Sequence, residues 1–264
     1  MRLTFVGLLI GLTIVGTTDE ASATAFTGVR LDIGSAILLD TDSSTTVSTS
    51  ELAIPTGPSA FIEADTTRGT LKGQASADHG AGQQASAGAS IFEAGSFVVS
   101  NFTTPVTFRF RYDIAATVGE GGVYSWGLTL VLGSYSGGID LSAIYDTAVG
   151  SVIEDGNHSD VRILDMDADT LLVEATLNSA VVPFDFGMAI GLVANTDVAA
   201  TFSLFLPDNI RMIPDSGEFL SAANTVEVAE PWSAIIVVTA LAGLLIGGVA
   251  RRPFMGYDIS ARNA

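Results

Sequence analysis

From Val106 to Ile114 the chain reads Val-Thr-Phe-Arg-Phe-Arg-Tyr-Asp-Ile, with every second residue apolar and every other one polar. Period-two alternation puts successive side chains on opposite faces of an extended backbone, so this segment predicts a strand with one face in a core and one in water. After Gly119-Glu-Gly-Gly the period returns in Tyr124, Trp126, Leu128, Leu130 and Leu132. Two such runs across a short glycine-rich turn predict an antiparallel hairpin. Trp126 shares the phase of Leu128 and Leu130, which places its indole in the core rather than on a sugar-binding surface.

Further strands are expected at 60–67, 69–77, 83–92, 97–102, 161–164, 171–177, 187–195 and 200–206, separated by Gly, Asn, Asp and Pro. Short strands at this spacing point to an all-β fold, an antiparallel β-sandwich or jelly-roll-like domain. The small-residue stretch from Gly73 to Ser90 reads as two strands joined by a loop near Asp78 to Gly82. The polar stretch from Asp40 to Ser50 is expected to form a mobile loop.

The chain opens with Arg2, a short uncharged apolar run and Ala21-Ser22-Ala23, the pattern of a signal peptide spanning 1–23 with a small-x-small cleavage site. The apolar run is too short to cross a bilayer. Residues 24–227 then form one domain-sized body, long enough to bury a sizeable core. They carry the chain's whole formal net charge of −18. Such a surface repels phosphate, so nucleic acid is not an expected partner. There is no cysteine, so stability must come from the core, and thiolate metal sites are excluded.

Little in the domain carries chemistry. A nucleophilic triad needs a poised base, and both histidines, His79 and His158, fall in polar or glycine-rich segments without a Gly-x-Ser-x-Gly elbow. With so many acids, some pair will meet glycosidase spacing by chance, and no catalytic residues are assigned. Asp165, Asp167 and Asp169 share the spacing of the first half of a calcium loop, but Thr170 and Thr176 stand where its glycine and bidentate glutamate belong. A solvated acidic face is the expected reading, with calcium at these three aspartates as the alternative and no other cofactor. Asn101-Phe-Thr and Asn157-His-Ser match the N-glycosylation pattern, which is too short to be specific.

Near the C-terminus, Trp232 to Ala250 is uncharged and spans about 28 Å as a helix, enough to cross a bilayer. Arg251-Arg252 follows, which orients the acidic domain outside and residues 253–264 as a cytoplasmic tail. The order of leader, acidic cysteine-free β domain, Ala229-Glu230-Pro231, apolar helix and Arg251-Arg252 resembles the PEP-CTERM class of bacterial exported proteins. Ala229 stands where that class typically has a first proline, and twelve residues follow the arginines. The resemblance implies that residues 228–252 are a sorting signal, with Ala229, Glu230, Pro231, Arg251 and Arg252 as its informative positions. It further implies an exosortase-like membrane processing enzyme as partner, delivery to the cell surface or extracellular matrix, and association with exopolysaccharide or biofilm. A plain single-pass anchor is the alternative reading of the segment. The expected function is a non-enzymatic surface or matrix protein; a carbohydrate-binding module or adhesin on a membrane anchor is the second.

Overall fold

The computed structural model describes residues 24–33, 36–78, 82–133, 141–148, 151–155 and 160–222. They form fifteen strands: β1 (Thr24–Ile33), β2 (Ala36–Ser44), β3 (Val47–Ala53), β4 (Ser59–Asp65), β5 (Thr70–Ser76), β6 (Gln83–Val99), β7 (Val106–Val118), β8 (Val123–Leu132), β9 (Leu141–Asp146), β10 (Ser151–Asp155), β11 (Val161–Met166), β12 (Thr170–Leu177), β13 (Val181–Val193), β14 (Thr196–Phe205) and β15 (Ile210–Pro214). One sheet runs β10-β9-β8-β13-β6-β1-β2, with β15 also paired to β6; the other runs β11-β12-β7-β14-β5-β4-β3. Their inner faces enclose a single core, making the all-β sandwich that the alternation predicts.

Eight strands follow jelly-roll order, β5-β14-β7-β12 facing β6-β13-β8-β9. The path changes sheet at each step from β5 to β8, stays in one sheet from β8 to β9, and changes again at each step from β12 to β14. Strands β1 to β4 widen both sheets on one side, and β10 and β11 extend the other.

Three sequence expectations are corrected. The runs 106–114 and 124–132 are not a hairpin, because β7 pairs with β12 and β14 while β8 pairs with β13 and β9. Alternation reports which face is buried but not which strand lies alongside. Here Gly119–Gly122 carries the chain from one sheet to the other, and the two apolar faces meet across the core, where Tyr112 and Trp126 pack edge to face at 5.8 Å. Segments 83–92 and 97–102 merge into the 17-residue β6. Its first part pairs with β1 and its last five residues with β15 on the same side, so Glu93 and Ala94 lie between two partners rather than at a break. The stretch 40–50 is not a loop but the end of β2 and start of β3. Its polarity is used up within the fold: Thr27 Oγ1 lies 2.8 and 3.0 Å from the hydroxyls of Ser48 and Ser50 between the sheets.

The Ala/Ser segment becomes legible in the sandwich. Ala75, Ala85, Ala87 and Ala89 are buried in the core between the sheets. A Cβ on Gly73 would lie 2.9 Å from the side-chain ends of Ile62, beside it on β4, and of Leu192 in the facing sheet, so a larger residue there would push both aside. At the far end of the core Phe97, Phe108, Phe110, Phe184, Phe186, Phe202 and Phe219 surround a void of only about 10 Å³.

Asn195 ties three loops together. Its carbonyl side-chain oxygen accepts from Ala77 N–H at 3.1 Å, its amide donates to Glu120 C=O at 3.0 Å, and its main-chain carbonyl accepts from Gly119 N–H at 2.6 Å. The crossing from β7 to β8 is thereby held against the turn from β13 to β14.

Candidate functional site

The expected leader and the sorting positions Ala229, Glu230, Pro231, Arg251 and Arg252 lie outside the described residues, as do His79, Asn157 and His158. Asn101 is exposed in the turn after β6, with φ of 54°. Trp126 is 1% exposed, in the core as its phase predicts.

Of the three aspartates weighed as calcium ligands, Asp167 and Asp169 sit on the turn from β11 to β12 and Asp165 precedes it. One Asp167 carboxylate oxygen accepts the backbone N–H groups of Asp169 at 2.8 Å and Thr170 at 2.7 Å, capping the turn in the way short acidic side chains do. Asp169 meets the Tyr124 hydroxyl at 3.4 Å. Between them the Ala168 carbonyl accepts the Trp126 indole N–H at 3.0 Å and the Tyr124 O–H at 3.3 Å. Asp165 belongs to β11, beside a register shift. The turn is therefore docked onto the aromatic end of the core, and Asp167 serves the backbone. Among the described residues no group of three or more acids and histidines is gathered as a metal-ligand set.

Electrostatic perturbation falls elsewhere. Burial, with the nearby Asp169 carboxylate, pushes the Tyr124 phenol up to about 12, and complete burial raises that of Tyr112 further. Glu93 is 4% exposed, in the inward phase of β6. Burial raises its pKa against the opposing effect of Ser216, whose hydroxyl donates to it at 2.6 Å. Burial likewise raises Asp185, with Asp215 adding like charge to both. Glu93 was visible in the sequence as a charge in the apolar phase of Ile91 and Phe97, a signal that strand assignment passes over.

A trough of about 440 Å³ opens on the outer face of the first sheet, where Phe26, Gly28, Thr41, Asp42, Ser43, Gly88 and Ser90 are among its lining. Its floor at Gly28, Gly88 and Ser90 continues by register into a strip of small residues on the next strands. Gly28, Gly88 and Gly191 stand side by side on β1, β6 and β13, and Ser90, Ala189 and Gly127 form the next row. A Cβ would have ordinary van der Waals room at Gly28, 3.5 Å from the nearest atom, and at Gly127, 3.8 Å away. Glycine at each costs about 0.5–1 kcal/mol relative to alanine in a strand, so packing alone does not call for it. Phe26, 45% exposed, stands over this floor with its ring edge-on to Phe92 at 6.1 Å. The period-two glycines were in the sequence, but their alignment across strands needs the register.

No family model, no curated protein and no solved structure matches this chain.

Proposed function

We propose that the protein is a non-enzymatic exported protein of the cell surface or extracellular matrix, carried there by its leader and sorted through residues 228–252. The observation that carries this reading is the pairing, in one chain, of a 19-residue uncharged run between Glu230-Pro231 and Arg251-Arg252 with an acidic, cysteine-free sandwich. On this reading residues 232–250 form a transmembrane helix, an exosortase-like enzyme cuts near Glu230, and the released polyanionic domain meets exopolysaccharide outside the cell. Calcium bridging through surface carboxylates such as Asp165 belongs to the same proposal. Intact-mass measurement of the protein recovered from producing cells should find a C-terminus near Glu230. A membrane-bound product ending at Ala264 overturns the sorting step and leaves a single-pass anchor.

The trough favours a second reading, a carbohydrate-binding module. It offers an exposed aromatic ring, several hydroxyls and a backbone floor that an extended chain can approach, the elements that hold neutral sugars. Titrating neutral oligosaccharides into the protein should then give binding that Phe26→Ala weakens by about tenfold or more, as loss of a central aromatic contact does. Equal binding by the variant removes this reading.

A further inference from the structure

Among the described residues, strand β2 is an edge of the first sheet, paired only with β1. Three consecutive large apolar side chains on it stand in solvent: Ile37 is 56%, Leu38 41% and Leu39 67% exposed. An edge strand presents a row of unpaired backbone donors and acceptors, and natural proteins blunt it with charge, proline, bulges or cover. Other edge strands carry such devices. On β3 the backbone N–H groups of Thr49 and Glu51 are taken by the carboxylates of Asp42 at 3.1 Å and Asp40 at 3.0 Å. β11 has a register shift beside Asp165, and β15 ends in Pro214. Among the described residues, none of these falls on the first half of β2.

We propose that this open half-strand is the contact through which two copies of the chain pair, antiparallel, across a two-fold axis. Charge selects the occupant. From Ile33 to Leu39 the sequence has no charged residue, in a chain whose net charge is −18. A cationic partner would be drawn to the acidic faces rather than to this neutral strip. A second copy is repelled by those faces and accommodated by the strip. Pairing centred on Leu38 sets Ile37 against Leu39 of the second copy, so apolar side chains meet in cross-strand pairs on one face. Asp40 then falls opposite Ala36, and its carboxylate is already held by Glu51 of its own chain. No like-charge pair forms in the ladder. The contact is isologous, as two-fold dimers require.

A ladder of about five residues buries well under the roughly 1,200 Å² of a stable interface, so pairing is weak and concentration-dependent. Its dependence on salt is distinctive. Salt screens the repulsion between two polyanions and leaves apolar contact intact, so dimerisation strengthens as ionic strength rises from about 0.05 to about 0.5 M.

Sedimentation velocity on the protein as recovered from producing cells, in detergent where the C-terminal segment is retained, tests this. The expected result is a reversible monomer–dimer equilibrium that shifts toward dimer with salt. Ile37→Lys combined with Leu39→Lys should weaken it by about tenfold or more, as charge placed in a strand edge does. Val118→Lys, at a residue 45% exposed on another strand, should leave it unchanged. All three positions are exposed, and an unaltered thermal midpoint verifies that the variants fold. A monomer at every concentration and salt, a dimer weakened by salt, or a dimer that survives both β2 substitutions overturns the proposal.

Discussion

Trp126→Ala is expected to lower stability by about 3–5 kcal/mol, the cost of emptying a large buried aromatic site. In a domain of this size that is a fall in thermal midpoint on the order of 10 °C. The indole is 1% exposed and packs on Tyr112 at 5.8 Å and Tyr145 at 6.1 Å, tying β8 to β7 in the facing sheet and to β9 alongside. Its N–H also holds the Ala168 carbonyl in the turn from β11 to β12. Two contributions should separate. Trp126→Phe keeps six of the nine ring atoms and loses the donor, and Tyr124 still donates to Ala168, so a smaller loss of about 1–3 kcal/mol is expected. Differential scanning calorimetry of both variants decides the matter: equal midpoints would mean the hydrogen bond, not the packed ring, dominates.

The second large effect is at Phe219. After β15 the chain leaves the first sheet and crosses to the second, where Leu220 N–H reaches Thr66 C=O at 3.0 Å and Ala222 N–H reaches Thr67 C=O at 2.9 Å. Phe219, 3% exposed, packs on Phe186 at 5.4 Å and Phe202 at 6.1 Å, closing the phenylalanine end of the core. Phe219→Ala should cost about 3–5 kcal/mol in urea unfolding, near the top of that range because its tightly packed neighbours have little room to collapse inward.

The same strap has a pH arm. Ser216 donates to Glu93 and accepts the N–H groups of Glu218 and Phe219, so the buried carboxyl organises the turn before Phe219. Because burial raises the folded-state pKa of Glu93, the folded protein binds its proton more tightly than the unfolded chain. That contribution is full below the ordinary glutamate value and is lost as pH rises through the raised one. Asp42, lowered chiefly by the Thr49 N–H, acts in the opposite sense. The clean comparison is therefore between wild type and Glu93→Gln: the stability of the variant relative to wild type should climb as pH rises from about 4 to about 8. A difference that stays flat over that range would mean that Glu93 titrates alike in the folded and unfolded chain, and would remove the effect of burial.

Residues at which reading the sequence succeeded share one property: their signal is local. Phe108, Phe110, Tyr112, Leu128 and Trp126 announce a buried face by period alone, and each is buried. The positions it missed depend on what lies across a gap. Gly28, Gly88 and Gly191 are separate glycines in three strands until the register aligns them. Thr27, Ser48 and Ser50 look like surface hydroxyls until the two sheets bring them within hydrogen-bonding distance. Asp40 and Asp42 read as loop residues because polarity resembles solvation, yet they are bonded to the backbone of β3.

By itself, then, the sequence determined that this chain folds as strands around an apolar core, that the core needs no disulfide, and that the surface is strongly acidic. Composition and the two-residue period of an extended backbone are enough for that. Only the tertiary structure decided which strands are neighbours. It turned the apparent hairpin of 106–114 and 124–132 into a crossing between sheets, buried Glu93 beneath the strap, assembled the trough and left half of β2 open. A strand carries the same alternation whichever partner it finds, and partners are selected by packing between residues far apart in the chain.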